Sequence, residues 1–272
     1  MPPCPSEGMY LGIPMSMTAP CTNHPHQRVA LFGNEAEALV PHLGRHDNLE
    51  LVETDPDVVV SFGGDGTLLA AELRWPGKPK VPVLNSRRGH RCIPHPPADV
   101  IEALAAGRLV RTEYTKLECL INHPEPGVVD PDFVLVCLNE INVDMGRINS
   151  AVRYRLWLDD EPFDNGTEII GDGFIACTPF GSTAYFNSIT RGLFQKGIGI
   201  AFKSASYKTN HVVVAEEVTV RFVIERGPAL LAFDSSTDYV SLVTNDELVV
   251  RRHPQSAVIL TCEPVKRLHE PF

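Results

Sequence analysis

Five consecutive residues, Gly63-Gly64-Asp65-Gly66-Thr67, have the types that phosphate chemistry needs. Glycines let a chain turn sharply and let phosphate oxygens approach amide N–H groups without meeting a Cβ. The apolar run Val58-Val59-Val60-Ser61-Phe62 precedes them and a stretch with helical character, Leu68–Leu73, follows. A helix starting there aims its unsatisfied amides and the positive end of its dipole at a bound anion. Asp65, held in that turn, is placed to take a proton from an attacking hydroxyl or to help hold Mg²⁺. The competing description is an ordinary strand-to-helix turn with Asp or Thr as N-cap.

A second segment runs Gly171-Asp172-Gly173-Phe174-Ile175-Ala176-Cys177-Thr178-Pro179-Phe180-Gly181-Ser182-Thr183-Ala184-Tyr185. A strand enters a Pro/Gly turn, and Ser182-Thr183 is placed to cap a helix beginning near Ala184. Hydroxyls and an aromatic ring then gather at one helix N-terminus, which suits a nucleoside. The same residues also describe a capped loop with Tyr185 packed in the core. Asn139-Glu140 closes the apolar run Phe133–Leu138. A carboxylate beside a carboxamide at a strand end can read adjacent ribose hydroxyls, and it also describes an exposed turn.

Charge is distributed in a way that supports a polyanionic ligand. Arg74, Lys78, Lys80, Arg87, Arg88 and Arg91 lie between Glu72 and Asp99 with no acid among them, and Arg191, Lys196, Lys203 and Lys208 lie likewise between Asp172 and Glu216. Two such islands fit several phosphates, or a solvated basic surface.

The elements around these residues change character along the chain. Val29–Gly33, Leu49–Val52, Val58–Phe62 and Val81–Asn85 read as strands, alternating with helices over Glu35–Leu43, Leu68–Leu73 and Ala98–Ala106. That alternation predicts a Rossmann-like parallel α/β domain over residues 28–113, with ligands at the carboxyl ends of its strands. From residue 114 to 272 helical periodicity is scarce. Leu117–Asn122, Phe133–Val143, Ala151–Leu158, Gly173–Cys177, Val212–Val214, Glu217–Ile224, Leu242–Val250 and Ala257–Thr261 read as strands, several separated by turns such as Pro124-Glu125-Pro126-Gly127. This predicts a mainly antiparallel β domain whose last residues can return to the first. The fold class is therefore α/β plus all-β. Residues 1–27 read as a disordered tail without the Arg-rich character of a transit peptide.

The chain of 272 residues carries 34 acids against 24 Lys and Arg, a net charge of −10. That field excludes nucleic acid and anionic membranes as partners held by overall charge. Apolar residues at 43% exclude wholesale disorder, and no apolar run approaches the roughly eighteen residues that span a bilayer. The seven cysteines are odd in number and form no Cys-x-x-Cys pair, so they read as reduced thiols packed as small hydrophobes in a cytoplasmic protein. Neither His24/His26 nor His42/His46 has the clustering of a metal site.

Taken in order, these residues resemble the NAD kinase family, whose Gly-Gly-Asp-Gly-Thr, Asn-Glu, Asp-Gly and Thr-Pro-x-Gly-Ser-Thr-Ala-Tyr motifs match positions 63–67, 139–140, 172–173 and 178–185. The resemblance spans about residues 28–263. It implies a site in the cleft between the two domains, ATP with Mg²⁺ as phosphoryl donor, and phosphorylation of the 2′-hydroxyl of the adenosine ribose of NAD to give NADP. By position it implies Asp65 as general base and Gly63, Gly64, Gly66, Thr67 and Asn85 at the nucleotides. It implies Asn139 and Glu140 on NAD ribose or amide groups, and Asp172, Thr183, Ala184, Tyr185 and Ser188 lining the pocket. Self-association into a homo-oligomer is implied as well.

The family's Asn-x-Gly-x-Leu-Gly-Phe-Leu is replaced here by Asn85-Ser86-Arg87-Arg88-Gly89-His90-Arg91-Cys92-Ile93-Pro94, and its Ala-Gly-Gly by Ile189-Thr190-Arg191. Both changes resemble the divergent branch that includes the mitochondrial NAD kinases of animals. A lipid or other small-alcohol kinase, and a non-catalytic dinucleotide-binding regulator, are the alternatives.

Overall fold

A computed structural model describes residues 25–87, 89–123 and 134–262. The tail expected for residues 1–27 lies outside it up to residue 24, as do Arg88, the turn Pro124–Gly127 and Phe133; Gln27 already opens the first strand. The first half supplies strands β1 (Gln27–Phe32), β2 (Leu49–Leu51), β3 (Val58–Gly63), β4 (Lys80–Leu84) and β5 (Val110–Tyr114), with helices α1 (Val40–Leu43), α2 (Asp65–Arg74) and α3 (Pro97–Ala105). Residues Val58–Phe62 of β3 are buried throughout, as expected for a strand covered on both faces. The helix expected over Glu35–Leu43 is instead a 3₁₀ turn, Ala36–Leu39, followed by a single α turn. Pro41 is the physical reason: it has no N–H with which to extend the ladder.

The second half continues with β6 (Leu117–Asn122), β7 (Val134–Cys137), β8 (Glu140–Met145), β9 (Val152–Leu158), β10 (Glu161–Pro162), β11 (Ile169–Gly171) and β12 (Gly173–Cys177). Helix α4 (Tyr185–Thr190) precedes β13 (Ile198–Lys203), β14 (His211–Val214), β15 (Val220–Arg226), β16 (Ala229–Phe233), β17 (Val240–Leu242), β18 (Glu247–Arg252) and β19 (Ala257–Thr261). The parallel layer has the order β2-β1-β3-β4-β19-β5, so the last strand inserts between β4 and β5, antiparallel to the latter. Two antiparallel sheets follow, β10-β9-β15-β18-β6-β7 with β11 on β9, and β14-β13-β12-β8-β16-β17. The expected class, a parallel α/β layer joined to antiparallel β layers, is the fold observed.

Two expected strands are each cut in two. Phe133–Val143 becomes β7 and β8 in different sheets, because the amides of Leu138 and Asn139 turn to the Asp234 carboxylate (both 2.7 Å). Leu242–Val250 breaks where the Val243 amide donates to Asp246 at 2.7 Å. Strand β13 was not expected: all six of its residues are buried, so no alternation marks it.

The antiparallel sheets share a core in which Tyr154, Phe174 and Phe222 are fully buried, the rings of Phe174 and Phe222 stacked at 3.9 Å. A smaller core joins the layers: Leu68 and Leu69 of α2 pack with Leu138 and Phe180 from the β half and with Ala257 and Ile259 from β19. Further along α2, buried Glu72 accepts hydrogen bonds from Lys116 (3.0 Å), the Gly77 amide (3.1 Å) and Lys80. Both lysines are 1% exposed, and burial pulls the Lys80 ammonium below the usual lysine range, against the pull of Glu72. Glu72→Gln leaves these cations without their carboxylate, and loss of one partner of a buried pair costs about 3–5 kcal/mol. Urea unfolding of the variant is expected to show that loss; an unchanged midpoint counts against the network.

Candidate active site

Three of the sequence-predicted groups converge around the N-terminus of α2. Gly64 precedes the helix with no side-chain cap, so neither Asp65 nor Thr67 is the N-cap. Asp65 instead turns its carboxylate to the following loop, accepting the amides of His90 on one oxygen (3.0 Å) and Arg91 on the other (2.9 Å). The Cys92 thiol approaches at 3.6 Å; burial first, and the Asp65 charge second, push that thiol up to about 12. Gly66, Thr67, Ala70 and Arg74 fall on one face of α2 by their spacing and line a cavity of ≈ 770 Å³. Gly63, Gly64, Asn85 and Ser86 continue the wall, and Ser235 from the β half completes it. Asn85 is fixed by its side-chain amide, which donates to Glu35 at 2.7 Å.

Asn139-Glu140 sits on the far side of that contact. The Asp234 carboxylate gathers the amides of Leu138, Asn139 and, at 3.3 Å, Glu140, while its own amide donates to the Glu140 carbonyl at 3.1 Å. Asp234 is followed directly by the cavity residue Ser235, so one short turn connects the glycine turn to Asn139-Glu140. Thr178 locks the same bend: its hydroxyl donates to the Leu138 carbonyl (2.6 Å) and accepts the Gly181 amide (3.0 Å). Gly181 is required by close approach, since a Cβ there would overlap the Asn139 carbonyl.

Glu140 points an oxygen, Oε2, into a buried position without a hydrogen-bond partner. Burial, then the neighbouring Asp234 charge, push its carboxyl up to about 8. Burial likewise raises Asp234 to about 6, against the pull of three amides. Burial first, then the charges of Asp144, Asp172 and Glu140, raise the Tyr185 phenol. Lys203, 5% exposed, answers that charge: it bonds Asp144 at 2.8 Å and lies 5.2 Å from the centre of the Tyr185 ring.

Several expectations change. Ser182 does not cap α4; its buried hydroxyl donates to the carbonyls of Pro179 (2.8 Å) and Phe194 (3.2 Å). Thr183 does not cap it either, donating to the Phe180 carbonyl and accepting from Arg91. Both hydroxyls are drawn backwards because α4 begins only after Ala184, whose backbone is far from the usual cap conformation. Four cations of the basic islands meet acids outside them: Lys78 pairs with Asp55, Lys80 with Glu72, Lys203 with Asp144 and Lys208 with Asp164. Among the described island cations Arg74 lines the cavity, its guanidinium 4.5 Å from the Trp75 ring. Ser188 is exposed on α4, its hydroxyl turned to the Ala184 carbonyl at 3.5 Å.

Asp234 and Ser235 were not singled out from the sequence, and Lys203 was read only as part of a basic island. The one local signal for the first two is a carboxylate and two serines placed directly after an apolar run, Ala229–Phe233. None of the described cysteines 92, 119, 137, 177 and 262 pairs with another of them in a disulfide.

A glycine turn at the head of a helix, an acid beside it, and antiparallel sheets facing it define a class of phosphotransferases built on a parallel α/β layer. No protein-family model matches the chain. It is 30% identical over 217 residues to the NAD kinase of Saccharolobus solfataricus, covering 78% of this chain and 82% of that one. The NAD kinase of Chloroflexus aggregans is 28% identical over 236 residues, 82% and 81% of the two chains. The chain belongs to the NAD kinase family. Among solved structures, yeast NADH kinase complexed with NADH superposes with a TM-score of 0.74 at 17% identity, over 90% of this chain and 85% of that one. An Archaeoglobus fulgidus NAD kinase in complex with ATP gives 0.67 at 19%, over 85% and 92%. At these identities the likeness establishes the fold.

Folded Glu140 keeps its proton to about pH 8, whereas the ordinary carboxyl loses it near 4.5. Between those values the unfolded chain binds fewer protons than the folded one, so stability falls as pH rises through the window. Each tenfold displacement of the proton equilibrium is worth about 1.4 kcal/mol. Glu140→Gln lacks this ionisation, and its stability relative to the parent is expected to climb from pH 4.5 to 8 and then level off. Urea titrations at several pH values measure it; a pH-independent difference refutes a protonated Glu140.

Proposed function

We propose that the chain is an ATP-dependent NAD kinase that transfers the γ-phosphoryl group of ATP to the 2′-hydroxyl of the adenosine ribose of NAD, giving NADP. The observation that carries this reading is the junction at Ser235: this residue shares the cavity of the glycine turn, and its neighbour Asp234 gathers the Asn139 and Glu140 amides. Phosphoryl transfer asks a protein mainly for positioning and charge neutralisation. The open amides of α2 suit the triphosphate, and residues 28–113 act as the donor side. Asn139, Glu140, Asp172, Ala184 and Tyr185, from the NAD-binding side of residues 114–272, hold the acceptor, with Thr183 and Ser188 at the edge of that wall. Asp65 orients the ribose hydroxyl and takes its proton, while its two backbone hydrogen bonds keep the carboxylate from rotating away. Family membership over most of the chain favours this reading over a small-alcohol kinase or a non-catalytic regulator.

Among the described residues no group of three or more His, Cys, Asp or Glu could hold a metal ion. One carboxylate at the turn fits a hydrated Mg²⁺ that arrives on the triphosphate, with Asp65 as its protein contact. When bound, Mg²⁺ neutralises the charge of the transferring phosphoryl group. A cytoplasmic, self-associating enzyme completes the proposal. Among the described residues no helix is long and apolar enough to cross a membrane, and Ile148 is 96% exposed at one end of the sheet that contains β8, an apolar tip suited to a second copy.

Incubation with ATP, Mg²⁺ and NAD, read by an NADP-specific enzyme, tests the activity. Asp65→Asn is expected to lower turnover by about 10²–10⁴-fold, the usual contribution of a general base, with an unchanged circular dichroism spectrum. NADP production at the parental rate removes Asp65 from the chemistry. Chelation of Mg²⁺ by EDTA is expected to stop NADP formation and its return to restore it, while folding stays unaffected; activity that survives chelation refutes the metal's part.

A further inference from the structure

Arg91 belongs to the loop between β4 and α3 and reaches out of the parallel layer. Its backbone amide donates to Asp65 at 2.9 Å. Its side chain crosses to the β half, where Nη2 donates to the Phe180 carbonyl (2.7 Å) and to the Thr183 hydroxyl (3.1 Å). The guanidinium lies 4.3 Å from the centre of the Phe180 ring, which is itself packed edge-on against Tyr114 at 4.8 Å. Among the described residues the guanidinium has no ion-pair partner, and its Nε is buried without an acceptor. Burial is the largest influence on it and pulls it below the usual arginine range. Tyr114 and the Asp65 carboxylate answer it only from beyond ion-pair distance, and a desolvated cation with no ion pair is costly, so surface solvation does not explain the position of this side chain.

We propose that Arg91 is a positioning residue that sets the distance between the Asp65 carboxylate and the Phe180–Tyr185 loop, and so the alignment of the acceptor hydroxyl with the donor phosphate. One residue serves both ends: its main chain fixes the acid, and Nη2 of its guanidinium fixes the loop that carries Thr183 and Tyr185. Lysine, a strongly hydrated point charge on a flexible stem, has no planar face to lay on the Phe180 ring while its nitrogen bonds the carbonyl and hydroxyl. A misplacement of about 1 Å between reacting groups is enough to cost ~100-fold in rate. Loosening the clasp frees the wall that carries Ala184 and Tyr185 as well as the alignment, so turnover falls and NAD binding weakens while the ATP contacts stay. This inference rests on the kinase reading above.

The test compares the parent with Arg91→Lys and Arg91→Ala, assayed well below their melting temperatures. Both variants are expected to lose about 100-fold in kcat, with the KM for ATP near parental and the KM for NAD raised. Added guanidinium ion is expected to restore part of the activity of Arg91→Ala and none of that of Arg91→Lys. Hydrogen exchange at the Phe180–Tyr185 amides is expected to rise in Arg91→Ala and to fall again with guanidinium. Parental kcat in both variants overturns the proposal, as does a loss confined to the melting temperature, which would make Arg91 a packing residue only. A parent that binds NAD but forms no NADP sinks the kinase reading separately. The exchange measurement then still decides the clasp: unchanged protection at Phe180–Tyr185 in Arg91→Ala refutes it.

Discussion

The structure depends on one short helix being held at both ends by carboxylates that face inward. At its head, Asp65 takes two amides from the loop after β4. Toward its tail, Glu72 takes two lysines and an amide, all buried. Between them Leu68 and Leu69 wedge into apolar residues drawn from the β half and from the last strand. Ten residues thereby face the cavity, the junction between layers and a buried ionic cluster at once. An amphipathic helix packed on one sheet has one polar face to spare; α2 has none on the sides that matter, and its N-terminus cannot drift without disturbing either lobe.

Charge inside the β half is handled differently. The Asp234 charge raises the affinity of Glu140 for a proton, Glu72 does the same to Asp234, and burial in the bend raises both. What keeps Asp234 usable is a set of three amides that converge on it, the same amides that the broken strand would otherwise have spent on a neighbour. The break between β7 and β8 is thus the source of the donors that stabilise the acid. Lys203 plays the corresponding part at the outer end, paired with Asp144 beneath an aromatic ring.

What was legible in the sequence follows from how far its physical cause extends along the chain. The turn at Gly63–Thr67 needs small residues next to one another, and the parallel layer needs unbroken apolar runs, so both could be read locally. Tyr185 at the start of a helix was legible for the same reason. Asp234 was not, because the amides it serves lie up to 96 residues away. The role of Arg91 depends on a carbonyl 89 residues further on, and the pairing of Lys203 on an acid 59 residues earlier. The basic islands were legible only as runs of charge: that Lys78, Lys80, Lys203 and Lys208 meet acids outside them depends on the fold. The hydroxyls of Ser182 and Thr183 misled because a capping residue type does not fix where a helix begins.

The place of β19 has a consequence for how the molecule comes into being. Since residues 257–261 fill the gap between β4 and β5, the parallel layer stays divided while the ribosome is still adding the antiparallel sheets. Ala257 and Ile259 also supply part of the wedge behind α2. Until residues 257–261 are made, α2 has only the Leu138 and Phe180 share of its backing, and the phosphate-binding turn gains the rest with β19.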